Sequence, residues 1–197
     1  MIFYICMGML IGMPVILTPI QLLLVNLVTD GLPAIALGME RSDGEVMYDD
    51  PRKPDESVFS NGLLGKIAFR GILIGLATLF VFSRLVGKGA SLETARTGAL
   101  TALVLTQLFH VFECRSEDKS LFEISPLGNP LLIGAALISV LAVFAVVNVP
   151  FLSQVFGTAA LSIGEFKLVF SVSAAAPILS GVAMLFSKQD KKKRRLR

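Results

Sequence analysis

The sequence predicts an all-α fold, a polytopic membrane bundle with no soluble catalytic domain, and three observations predict it. Hydrophobic residues make up 54% of the 197, and mean hydropathy is +0.74. Charged residues are only 17%, well below the roughly 25% of soluble domains. The apolar residues also gather into runs, at 2–13, 15–39, 63–86, 99–112, 131–151 and 166–186. A helix needs about 20 apolar residues to cross the hydrocarbon. All runs but the first and fourth reach that length, and the fourth does so once residues 94–97 or Glu113 enter the interface. Six membrane segments are expected, at about 1–13, 15–39, 63–86, 95–113, 131–149 and 166–187, followed by a basic tail at 188–197.

The first segment is short, with about a dozen residues before Gly12-Met13-Pro14, too few to span. No Lys or Arg precedes Arg41, so the basic flank of a secretory signal is missing. Met1 is therefore expected to be an internal methionine of a longer helix.

The second segment carries the chemistry. Asp30 is the only charge between Val15 and Met39, and a carboxylate at membrane depth is costly unless something neutralises or coordinates it. Asn26, four residues earlier, shares its helical face, and Thr29 sits beside it. Pro33 has no N–H for the carbonyl of Thr29, and Gly31 should loosen the same turn. Interrupted helices that offer side-chain oxygens and released carbonyls are one way to hold a cation in a membrane. The plainer reading is that Asn26, Thr29 and Asp30 join helices through hydrogen bonds.

In the fourth segment Gln107, His110 and Glu113 recur every three residues, so they should lie toward one side of the helix. Gln107, near mid-span, can offer an amide oxygen to a hard cation. His110, the single histidine, reads as a hydrogen-bonded packing residue. Glu113 is expected to be solvated at the interface before Arg115. Cys6 and Cys114 have no paired spacing and read as small packing residues.

Basic residues set the orientation. Residues 188–197 hold seven of the 18 Lys and Arg, which puts the tail in the cytoplasm. The connectors at 40–62 and 114–130 then lie on the same side, and those at 13–17, 87–93 and 150–165 on the other; Arg84, Lys88 and Arg96 run against the pattern. Such a tail can also attract anionic headgroups, but its plain reading is a topology signal, with no nucleic-acid partner. The stretch 41–54, with its acids, Pro51 and Pro54, reads as an extended connector. No loop exceeds about 25 residues, too few for a catalytic domain, and no Gly-rich phosphate loop or metal-binding His pair occurs. On its own the chain is not expected to be an enzyme or to need a cofactor.

The run from Pro19 to Gly38, with Asn26-Leu27-Val28-Thr29-Asp30-Gly31-Leu32-Pro33 at its centre, resembles the sixth transmembrane helix of calcium-type P-type ATPases. Pro51-Arg52-Lys53-Pro54 with Phe59-Ser60 is similar to that family's next loop, and Ser116-Glu117-Asp118-Lys119-Ser120-Leu121-Phe122 to the loop after helix eight. Val149-Pro150-Phe151 with Phe156-Gly157-Thr158 resembles the outer loop before helix ten. The resemblance implies that the segments are the late fifth to tenth helices of such a pump, with the phosphorylation, nucleotide-binding and actuator domains outside this chain.

It also implies that Asn26, Thr29 and Asp30 ligate a transported cation, and that Gln107 is an outer contact. Two-site pumps carry an acid where Gln107 stands, so the departure implies a single site. Hard oxygen donors favour Ca²⁺, with Mn²⁺ second. ATP and Mg²⁺ belong only to the full-length parent. The partners implied are the bilayer, the cation and the rest of the pump. The rival reading is a free-standing membrane protein, either a passive cation channel or an accessory subunit of a pump.

Overall fold

A computed structural model of the chain describes residues 8, 12–40, 63–115 and 128–195, with side chains described as far as residue 179. The segment expected at 1–13 lies almost wholly outside these residues. So do the connector at 41–54, the Pro51 to Ser60 motif and the Ser116 to Phe122 motif. Among the described residues the fold is all helical and has no strand.

Helix α1 spans Pro19–Gly38, α2 Leu63–Gly87, α3 Leu92–Glu113, α4 Pro130–Asn148, α5 Pro150–Phe156 and α6 Ile163–Arg195. Their starts follow from local chemistry. Ser91 Oγ accepts from the amide of Thr94 to cap α3, and Asn129 Oδ1 from that of Leu132 to cap α4. Pro130 and Pro150 occupy first-turn positions, where no amide is needed. Gly157 closes α5 in the left-handed region, at φ 59°. Helix α6 continues past the last apolar residues and through Lys188 to Arg195.

Among the described residues, α1, α2 and α4 are each long and apolar enough to cross a membrane. This is an integral membrane helix bundle. Helix α3 is more polar because it is its centre. It packs against α2, α6, α4 and the middle of α1, and is buried along most of its length, from Ala95 to Leu108. Its threonines satisfy themselves: Thr97, Thr101 and Thr106 each donate to the carbonyl four residues back. At Gly98 the neighbouring α2 comes so close that a β-carbon would overlap the side chain of Leu85. That small residue lets the two backbones approach.

Each end of the bundle is tied by polar side chains. At one end Gln21, fully buried, donates to the carbonyl of Phe156 at 3.0 Å and accepts from the amide of Thr18 at 3.0 Å. There too Thr158 Oγ1 donates to the carbonyl of Val146 (2.6 Å), and the amide of Ala159 to Thr97 Oγ1 (2.9 Å). At the opposite end Arg115, after α3, forms a forked pair with Glu40, after α1, at 2.7 and 3.1 Å. Asn129 donates to Glu40 Oε2 (2.6 Å) and to the carbonyl of Ala36 (3.1 Å), which brings in α4.

Candidate functional site

Helix α1 is not broken at its polar centre but widened. It is α-helical at Pro19–Leu24, a π-helix over Val25–Gly31, and α-helical again at Leu32–Gly38. The expected interruption therefore takes a milder form. Pro33 cannot donate to the carbonyl of Thr29, and its ring crowds that carbonyl; the looser π geometry, in which the donor is the residue five places on, accommodates both effects. Gly31 is not what opens the turn. It sits at helical angles (φ −67°, ψ −54°), and a β-carbon there would make only ordinary contact, 3.5 Å from the carbonyl of Asn26.

The π segment presents its polar residues in two directions. Thr29 turns inward and is 1% exposed, whereas Asn26 and Asp30 lie on an open face of the described bundle. Gln107 reaches across from α3, and its Nε2 donates to Asp30 Oδ1 at 3.1 Å. Two buried oxygens here, Thr29 Oγ1 and Gln107 Oε1, have no hydrogen-bond partner among the described residues. Buried polar atoms are rarely left so. One carboxylate, an amide oxygen and a hydroxyl are hard donors, suited to a cation that prefers oxygen. They are too few for Ca²⁺, which takes about 6–8 oxygens. Among the described residues, no cluster of three or more His, Cys, Asp or Glu supplies a complete metal cage.

A residue that the sequence reading passed over holds the π segment in place. Ser139 of α4, fully buried, donates to the carbonyl of Val28 at 2.8 Å and lies 3.0 Å from that of Ala135. The signal was available, because Ser139 is the one polar side chain between Asn129 and Asn148.

Three expectations for α3 need revising or sharpening. Glu113 is not solvated: it is 4% exposed, 3.6 Å from Arg70 Nε of α2 and 3.2 Å from His110 Nδ1. A carboxylate so buried needs such partners, and the guanidinium comes from a helix that the spacing along α3 could not reveal. His110 bonds Glu113 and the thiol of Cys114, and lines a small crevice with Arg70 and Pro177 rather than facing Asp30. Spacing by three turns each successive side chain about 60° around the helix, so Gln107 reaches α1 while Glu113 reaches α2. Cys114 is exposed rather than packed, and Cys6 lies outside the described residues.

Comparison with known proteins follows the same helices. A family model described as "Cation transporting ATPase, C-terminus" matches residues 14–186. A calcium-transporting ATPase of Bacillus subtilis (strain 168) is 45% identical over 183 residues, covering 92% of this chain and 20% of that protein. Calcium-transporting ATPase 1 of Bacillus cereus is 33% identical over 199 residues, covering 92% of this chain and 22% of its own length. Mouse calcium-transporting ATPase type 2C member 2 is 32% identical over 178 residues, 90% of this chain and 19% of its own. The chain thus spans about a fifth of the curated relatives it matches. With the helical membrane bundle and the extent of the match, the chain belongs to the family of cation-transporting ATPase C-terminal domains.

Proposed function

We propose that this chain forms the late membrane helices of an ATP-driven calcium pump and supplies one wall of its intramembrane ion site. The observation that carries the reading is the polar face of α1, with Asp30 bonded to Gln107 and open beside Asn26. Facing lipid, that carboxylate would cost several kcal/mol or more. Against further pump helices and a cation, it becomes the charge that offsets the ion's dehydration. Asp30 gives the charge, Asn26 and Thr29 neutral oxygens, and Gln107 an outer amide contact.

A neutral residue at 107 supports one ion per cycle. The names of the relatives support Ca²⁺ as cargo, and Mn²⁺ fits the same hard donors. The basic residues after Phe186 support a cytoplasmic tail. ATP and Mg²⁺ act at domains outside this chain, which hydrolyses nothing alone.

The test is ATP-driven uptake of radioactive calcium into vesicles that contain the parent pump. Uptake should be blocked by excess Mn²⁺ more than by excess Mg²⁺, and lost in Asp30→Asn at equal protein level. Undiminished uptake by that variant would contradict the proposal.

A further inference from the structure

Away from Asp30, α3, α4 and α6 leave a groove of about 470 Å³ between them. It is lined by buried Val104 of α3, by Val140 and Phe144 of α4, by Phe166 of α6 and by Leu161 of the α5–α6 connector. Its rim is open to the bundle surface: Val140, Phe144 and Phe166 are all exposed. Thr101 also lines it, but its hydroxyl is taken by the carbonyl of Thr97. Water gains little from such a wall, since apolar cavities stay dry. In a membrane the adjoining solvent is lipid, whose chains match the wall chemically.

Length and charge narrow the occupant. From Val140 to Asn148 the groove follows α4 for about 12 Å, at roughly 1.5 Å per residue. That stays within one leaflet, half of a hydrocarbon core about 30 Å thick. Its lining includes Asn148, the last residue of α4, and Ile163 and Lys167 from the first two turns of α6. A lysine there can lay its alkyl stem along the groove and hold its ammonium at headgroup level. Among the described residues Lys167 forms no ion pair. Glu165, two residues away, is engaged by the amide of Ser162 at 2.7 Å. A phosphate-bearing headgroup with net negative charge would complete this end.

We propose that the groove binds one anionic phospholipid, an acyl chain lying between α4 and α6 and its headgroup phosphate on Lys167. The site is separate from the ion site, and neither depends on the other.

The test is native mass spectrometry of the chain in detergent, titrated with dioleoyl phosphatidylglycerol or dioleoyl phosphatidylcholine, with helicity checked by circular dichroism. A lysine at a membrane surface contributes about 1 kcal/mol toward anionic lipid, so phosphatidylglycerol should bind about fivefold more tightly. Lys167→Gln should abolish the preference and Lys167→Arg keep it, both being exposed changes that leave the bundle intact. Val140→Trp, which fills the groove, should weaken both lipids by at least about fivefold, a change of roughly 1 kcal/mol. Equal binding of the two lipids by the unmodified chain would overturn the proposal, as would unchanged binding by Val140→Trp. In the assembled parent pump, the same lipid count with and without Val140→Trp would mean that protein covers the groove, and would overturn it too.

Discussion

The amide nitrogen of Gln107 lies 3.1 Å from Asp30 Oδ1, joining the centre of α3 to the widened turn of α1. This bond makes residue 107 part of the carboxylate's surroundings and leaves Gln107 Oε1 buried without a partner among the described residues. A neutral amide can thus steady Asp30 by donating and still offer an oxygen, which a second carboxylate cannot do without repulsion.

Gln107→Glu is expected to change stoichiometry. The unmodified parent should bind one calcium ion per phosphorylation site. The variant should gain a weak second ion, because two adjacent carboxylates need more positive charge between them. Equilibrium calcium binding against phosphoenzyme count checks this. Two tightly held ions in the unmodified pump would contradict the single-site reading.

Ser139→Ala should act on the site without touching the ion. Losing the bond to the carbonyl of Val28 removes about 1 kcal/mol from the tie that holds the π segment. Calcium affinity should therefore fall by about fivefold, while Ser139→Thr, which keeps the hydroxyl, should retain most of it. Equal affinities for Ser139→Ala and the unmodified pump would show that the π turn holds itself.

At the other end of α1, the forked Arg115–Glu40 pair should be structural. Arg115→Lys keeps the charge but loses the planar fork. It is expected to lower stability by about 1.5–3 kcal/mol, the worth of a hydrogen bond to a charged group. Thermal unfolding in detergent should show the drop, with calcium affinity unchanged.

Much of this was legible in the chain, and the illegible part has a common cause. The apolar runs at 15–39, 63–86 and 131–151 fall on α1, α2 and α4, since crossing hydrocarbon leaves so few options. Asp30 stood out because a lone charge among apolar residues demands a reason. Pro33 signalled a disturbed turn, but not that it would widen rather than break, because that depends on Ser139 arriving from α4 to hold the carbonyl of Val28. Glu113 looked solvated because its cation, Arg70, is 43 residues away on another helix. Glu40, Arg115 and Asn129 likewise meet only after three helices have packed. Periodicity along one helix reports which face is polar; which partner satisfies that face is a property of the packing.

The chain by itself should form no phosphoenzyme. Its connectors, about 25 residues at most, are too short to hold a nucleotide domain, so incubation with labelled ATP should leave no acid-stable acyl phosphate. Labelling of the purified chain would contradict this expectation and point to a catalytic centre within the chain.

On this reading Asp30 carries the charge that holds the ion. Asp30→Asn preserves size and hydrogen bonding to Gln107, so packing and thermal stability in detergent should survive. Were Asp30 only a tie between helices, removing a costly intramembrane charge would be mild for calcium as well. The deciding measurement is the calcium dependence of phosphorylation in the parent pump carrying Asp30→Asn, beside Asn26→Ala and Thr29→Ala. Asp30→Asn should lose at least about thirtyfold in calcium affinity, roughly 2 kcal/mol, and the two neutral positions should lose less. Affinity within about threefold of normal, under roughly 0.7 kcal/mol, would show that Asp30 is not a ligand.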